Sequence, residues 1–147
     1  MYRRSTGRVV FASDDMLNVQ VRIPHSYKNK NYVGSIFGGS MFSAVDPIPM
    51  IQLITILGDD YVVWDKSAEI FFKRPAREDL YADFIFTQDE IIDIRQRIIS
   101  EKEIELDKIT QLKGKDRSVV YCEIKKKIYV ADKAFYKEKM NKRKQTA

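Results

Sequence analysis

The chain has 147 residues, 44% hydrophobic and 12% aromatic, which suits one folded domain with a modest core and excludes a disordered protein. One cysteine, Cys122, and one histidine, His25, exclude an internal disulfide and leave no metal-ligand spacing, so no metal site is expected. The net charge of +5 sits in residues 133–147, where six basic side chains face Glu138 alone; the rest of the chain is balanced, so nucleic acid is not the expected partner.

Met1–Arg8 is polar, without the pattern of a secretory leader, and a cytoplasmic protein is expected. Leu17, Val19, Val21 and Ile23 alternate with Asn18, Gln20 and Arg22, the period of a half-buried strand that Pro24 closes. His25–Asn31 is a polar loop. From Gly34 to Leu57 the chain is almost uncharged and long enough to span a bilayer. Asp46, Gln52 and the prolines at 47 and 49 argue against a membrane span and for a helix buried at the centre of the domain. That helix starts at Ser35 or at Gly38–Gly39, ends at Gly58, and is kinked or broken near Pro47–Pro49. Asp46 is its one ionisable side chain, and a carboxylate in such surroundings must find donors or be put to use.

After Asp59–Asp60 an extended stretch places Val62, Trp64, Ala68, Ile70 and Phe72 on one face and Asp65, Ser67, Glu69 and Lys73 on the other. Pro75 ends it, and Leu80, Ala82, Phe84 and Phe86 mark the next strand. Thr87-Gln-Asp-Glu90 is a capping box, and Ile91, Ile94 and Ile98 follow at helical spacing, giving a short helix over 88–99. Residues 103–112 read as a strand with a bulge, because the apolar register slips between Leu106 and Ile109; continuation of the helix is the rival. Gly114 marks a turn. Val120, Cys122, Ile124, Ile128 and Val130 make the last strand, with Lys126 an unexplained break in its inward register. The domain is expected to end at 132, with 133–147 a solvated basic tail.

Strands with one apolar face need a cover, and only the segment around Asp46 is apolar and long enough to supply it. The expected class is α+β: a curved antiparallel sheet of about five strands wrapped around a central helix, with a small helical insertion.

That architecture resembles the hotdog fold. Asn31, Phe37-Gly38-Gly39 and Asp46 fall at the spacing of the Asn…His-Gly-Gly…Asp pattern of phenylacetyl-CoA-type hotdog thioesterases. The run from Phe72 to Ala82, with Lys73-Arg74-Pro75-Ala76-Arg77, is similar to the strand-turn-strand signature that follows it there. Phe-Gly-Gly with Asp-Pro, and then Asp60–Lys66, look closer to an uncharacterised branch classed only as a thioesterase-like domain of unknown function. The likeness spans residues 17–131. It implies a homodimer, or a tetramer built from two, with acyl-thioester sites at the subunit interface. No cofactor is implied beyond the coenzyme A (or acyl-carrier-protein) thioester, which is itself substrate or ligand. By the same likeness Asp46 activates a water or attacks directly. The amides of Gly38 and Gly39 polarise the thioester carbonyl, and Asn31 orders the loop or binds the carbonyl oxygen. Phe37 lines the ligand, and Arg74 and Arg77 meet coenzyme A phosphates. Phe37 stands where those enzymes carry histidine.

Each feature also has a plain structural role. Asp46 can cap a second helix starting at Pro47; the glycine pair can serve close packing; the arginines can be a solvated turn; Cys122 can be an inert core thiol. Three functions are weighed. The first is an acyl-CoA thioesterase using Asp46. The second is a non-catalytic acyl-binding protein, favoured by Phe37. The third is a polyanion binder acting through the basic tail.

Overall fold

A computed structural model describes residues 5–146. Its elements are β1 (Arg8–Ala12), β2 (Asn18–Ile23), α1 (Gly38–Val45), α2 (Ile48–Leu57), β3 (Tyr61–Phe72) and β4 (Leu80–Ile85), then α3 (Gln88–Glu101), β5 (Glu103–Lys113), β6 (Val120–Asp132) and α4 (Lys133–Thr146). The six strands form one antiparallel sheet in the order β1-β2-β4-β5-β6-β3. It has one strand more than the sequence signals. All five residues of β1 are exposed, so no alternation of polar and apolar positions announces the strand.

The inner face of the sheet is covered by the apolar segment, which forms two helices rather than one. Proline 47 has no N–H to continue the helical ladder, and α1 ends at the preceding residue. Met41, Ala44 and Val45 of α1 pack with Val21 and Ile23 of β2, Leu80 of β4 and Ile124 of β6. Leu53 and Leu57 of α2 share a second cluster with Phe86, Ile128 and Val130 and with the apolar stripe of α3, Ile91, Ile94 and Ile98. Gln52 is fully buried, and its Nε2 donates to the carbonyls of Met16 and Phe84 at 2.8 and 3.1 Å, tying α2 to the sheet. Gly38–Leu57 is long and apolar enough to cross a membrane by length and composition. Here it is the core cover.

Two register expectations are corrected. A bulge between Asp65 and Ser67 shifts β3 against β6, so Val63 and Asp65 face inward before it and Ala68, Ile70 and Phe72 after it. Val62 and Trp64 therefore face outward. In β5 no bulge separates Leu106 from Ile109: pairing with β6 runs unbroken from Glu103 to Leu112. The inward position between them is Lys108, whose Nζ donates to Glu90 at 2.9 Å and to the carbonyl of Ile85 at 3.0 Å, 4.1 Å above the Phe86 ring.

The segment expected as a solvated tail is helix α4 over its described residues. Tyr136 packs its ring against Trp64 and Tyr129 on the outer face of the sheet. Lys139 and the Tyr129 hydroxyl both bind Glu103, each at 2.5 Å, and these bonds hold that carboxyl below the usual range. With Lys133 on the Asp59 carbonyl and Lys142 on Glu138, three of the six basic side chains are engaged within the chain, which weakens the polyanion-binding reading.

The capping box of α3 forms as expected: Glu90 N–H donates to Thr87 Oγ1 at 3.1 Å, and Thr87 N–H donates to Glu90 Oε2 at 2.8 Å. Thr87→Ala is expected to lower the unfolding free energy by about 1 kcal/mol, read from urea denaturation with an unchanged m-value. Burial would raise the Glu90 carboxyl, but Lys108 and the Thr87 amide outweigh it and hold it low. A lowered carboxylate stabilises the fold above its unfolded range and loses that effect as pH falls through its folded value. The cost of Glu90→Gln should therefore be largest at neutral pH and vanish in acid. A pH-independent cost would show that the charge has no part in it.

Candidate functional site

The residues singled out in the sequence gather around the two ends of α1. At its N-terminus, the loop from Pro24 to Phe37 is folded by two asparagines. Asn29 is buried; its Oδ1 accepts from Ser26 N–H, its Nδ2 donates to Thr6 Oγ1 and the Pro24 carbonyl, and its own carbonyl accepts from Phe37 N–H at 2.8 Å. Asn31 organises the tip: its Oδ1 accepts from the amides of Val33 and Ser35, and its Nδ2 donates to Ser35 Oγ. Those bonds order the loop tip, one of the two roles considered for Asn31. Asn29 escaped the sequence reading because nothing in the spacing separates one loop asparagine from the other. His25, which matches no motif position, nevertheless reaches this loop, with Nε2 donating to the Gly34 carbonyl at 2.8 Å. Its backbone amide and Arg22 both donate to Asp79. Burial would raise that carboxyl, but the two partners outweigh it and hold it low.

The loop delivers Phe37 as N-cap of α1, with no side chain capping the first helical amides, those of Gly38 and Gly39. Both glycines lie under aromatic rings. A Cβ on Gly38 would fall 2.6 Å from the Phe72 ring, and one on Gly39 would fall 2.4 Å from the Phe37 ring. Both rings are more than half exposed. The rings thus occupy the space a side chain would need at either position, so the helix start is held to glycine. Arg77 is exposed and donates to the Val33 carbonyl at 3.4 Å, bracing the same loop, while Arg74 is an exposed neighbour on the turn after β3.

Asp46 lies at the other end, as C-cap of α1. It does not cap α2, whose N-cap is Pro47 with no side-chain bond, so that structural alternative is overturned. Its carboxylate meets Lys126, the residue that breaks the inward register of β6. Lys126 is 4% exposed; its ammonium donates to the Asp46 backbone carbonyl and to Asp65 Oδ2 at 2.5 Å, and forms an ion pair with Asp46 Oδ1 at 3.0 Å. One backbone carbonyl and two carboxylates thus surround the cation, which also faces the carbonyl end of a helix. Asp46 remains 41% exposed.

Beside Asp46 a cavity of about 750 Å³ opens between β1–β2 and the α1–α2 elbow. Val9, Ala12, Met16, Val19, Ile48 and Ile51 form most of its wall, and among the described residues Asp46 is its only ionisable lining group. Its volume is that of a site for a small organic ligand. The cavity was not legible in the sequence, since half its wall comes from the segment between Ser5 and Val19, which includes the unannounced strand β1. Asp46 and the glycine amides do not converge within one chain: eight helical residues separate them by roughly 12 Å. Among the described residues no group of three or more His, Cys, Asp and Glu side chains is placed to hold a metal ion.

A family model described as a domain of unknown function, DUF4442, matches residues 6–130. Among solved structures the chain is similar to a Pseudomonas aeruginosa protein of unknown function described as a probable thioesterase, with 20% identity, TM-score 0.77, and 88% of this chain and 85% of that one covered. A Chlorobaculum tepidum protein of unknown function aligns at 10% identity and TM-score 0.71, over 88% and 85% of the two chains. A thioesterase from Haemophilus influenzae aligns at 10% identity and TM-score 0.62, over 88% and 81%. No curated protein matches. At such identities the likeness shows the fold alone, the hotdog fold expected from the sequence.

Cys122 is the one thiol, and burial pushes it up to about 11. It is therefore excluded as a nucleophile. An aromatic disulfide reagent at pH 8 should label it on the order of 10²-fold more slowly in the native protein than in denaturant; equal rates would place it at the surface.

Proposed function

The chain belongs to the DUF4442 family, on the thioesterase-like hotdog fold, and from that premise we propose that it hydrolyses acyl-CoA (or acyl-carrier-protein) thioesters at a site shared by two subunits. The observation that carries this reading is Asp46: a half-exposed carboxylate on the rim of an apolar cavity, with a buried cation fixing one of its oxygens. The acyl chain lies in the cavity, which brings its carbonyl to the rim. Asp46 takes a proton from water as the water oxygen bonds to the thioester carbon. The carbonyl oxygen gains the negative charge and is held by the Gly38 and Gly39 amides of a second copy, since its own are a helix length away. Collapse breaks the carbon–sulfur bond, and the thiolate recovers the proton from Asp46. A free acid and a thiol leave. Arg74 and Arg77, on the exposed turn beside the glycine loop, suit the phosphates of coenzyme A. Such substrates put the protein in the cytoplasm.

A second copy has a surface to use. Strand β3 lies at the sheet edge and pairs only with β6 among the described residues, and Phe72 and Phe37 beside it are largely exposed. A long edge strand with apolar neighbours is a ready pairing surface. The expected unit is a dimer, with a tetramer as a further step.

Phe37 in place of histidine favours a second reading, an acyl-binding protein without turnover. One experiment separates them. Purified protein incubated with an acyl-CoA chain-length series should release thiol, and Asp46→Asn should lower kcat by roughly 10³-fold while free fatty acid still raises the melting temperature of both. Stabilisation without thiol release in the wild type selects the binding protein; equal turnover in the variant removes Asp46 from the chemistry. Phe72→Asp should convert the dimer to monomer in sedimentation equilibrium, and a monomeric wild type would rule out the shared site.

A further inference from the structure

We propose that Lys126 is a positioning residue, which sets the orientation of Asp46 for attack at the cavity rim; this rests on the hydrolytic reading of Asp46. Lys126 projects from the inner face of β6 between Ile124 and Ile128, both buried, where an apolar residue would serve the core better. What the lysine supplies is directional. It binds the backbone carbonyl and Oδ1 of the same residue, which clamps Asp46 from main chain to carboxylate and leaves Oδ2 without a bond to the described residues. Oδ2 is then the oxygen free to take a proton.

The rest of the arrangement serves that clamp. Asp65 comes to the inner face only because the bulge after it shifts the register of β3, and it anchors the ammonium from the far side. The nearest inward cation, Lys108, pairs opposite Lys126 across β5 and β6 but is taken by Glu90 and the Ile85 carbonyl, so it does not compete for Asp46. The carbonyl that Lys126 binds is that of the C-cap of α1, which takes no backbone donor among the described residues. A purely structural ion cluster would stabilise the elbow equally well with either acid. A positioning cluster must hold Asp46 in particular.

The test compares Lys126→Met, Asp65→Asn and wild type by steady-state hydrolysis of the best acyl-CoA, thermal unfolding, and stabilisation by free fatty acid. Lys126→Met should lower kcat about 10²-fold, the cost of an angstrom-scale misplacement, with KM and fatty-acid stabilisation nearly unchanged. Asp65→Asn should lower the melting temperature while costing less than about fivefold in kcat, because the Lys126–Asp46 contact survives. Should Lys126→Met not fold, the double variant K126M/D65N, which leaves one free carboxylate rather than two, carries the same readout. Retained kcat in the folded lysine variant, or an equal loss in Asp65→Asn, would reduce Lys126 to a structural tie. Wild-type protein that binds fatty acid yet releases no thiol would instead overturn the hydrolytic reading, and this role with it.

Discussion

A buried ammonium group on the inner face of a sheet has to be matched there, and in this fold the matching accounts for three features that look unrelated along the chain. The helix over the sheet breaks after Asp46, which presents a free carbonyl and a carboxylate at the break. Strand β3 takes a bulge after Asp65, which brings a second carboxylate inward. Strand β6 interrupts an apolar row to supply the cation. Desolvating Lys126 without these partners would be strongly unfavourable, so each feature is constrained by the other two. The ammonium is paired with both acids, while of the two only Asp46 also lines the cavity. Stability and the candidate chemistry therefore meet at one residue.

The geometry also divides labour along α1. Its N-terminus carries unclaimed positive dipole and two glycine amides under aromatic rings; its C-terminus carries the acid and the apolar cavity. An eight-residue helix is too long for one small ligand group to touch both ends. Under the proposed reading this spacing is why a second subunit is required, and the exposed edge of β3 beside Phe72 and Phe37 is where it would attach.

What could be read from the sequence was what is encoded locally. The capping box of α3, the alternation of β2 and the proline break need only neighbours within a few positions, and each is present. The glycine pair and Asp46 stand out because a mostly apolar run has few other features. Long-range pairings were not legible. Lys126 was visible as a break in register, but its partners Asp46 and Asp65 lie 80 and 61 positions earlier, and nothing local connects them. The inward faces of β3 and β5 were misread for the same reason: Lys108 and Asp65 point inward because a distant charge awaits them, against their hydropathy. Strand β1 and the cavity wall it supplies left no mark, since its residues are exposed on both faces.

Phe37 is the substitution that bears hardest on mechanism. A histidine there would add a polar group near the carbonyl of a bound thioester; a phenyl ring adds none. Yet the ring lies over Gly39, as Phe72 lies over Gly38, so neither position has room for a side chain and the helix start keeps its two glycines. Main-chain donors at a helix start can meet developing negative charge without the help of a side chain. Under the proposed reading, the loss of one hydrogen-bonding side chain leaves the carbonyl to two main-chain donors and the helix behind them. Such a site then depends on the orientation of its acid more than one with a histidine to assist, because among the described residues Asp46 is the only ionisable group lining the cavity. That dependence is the physical reason for clamping Asp46 at both its backbone and its carboxylate.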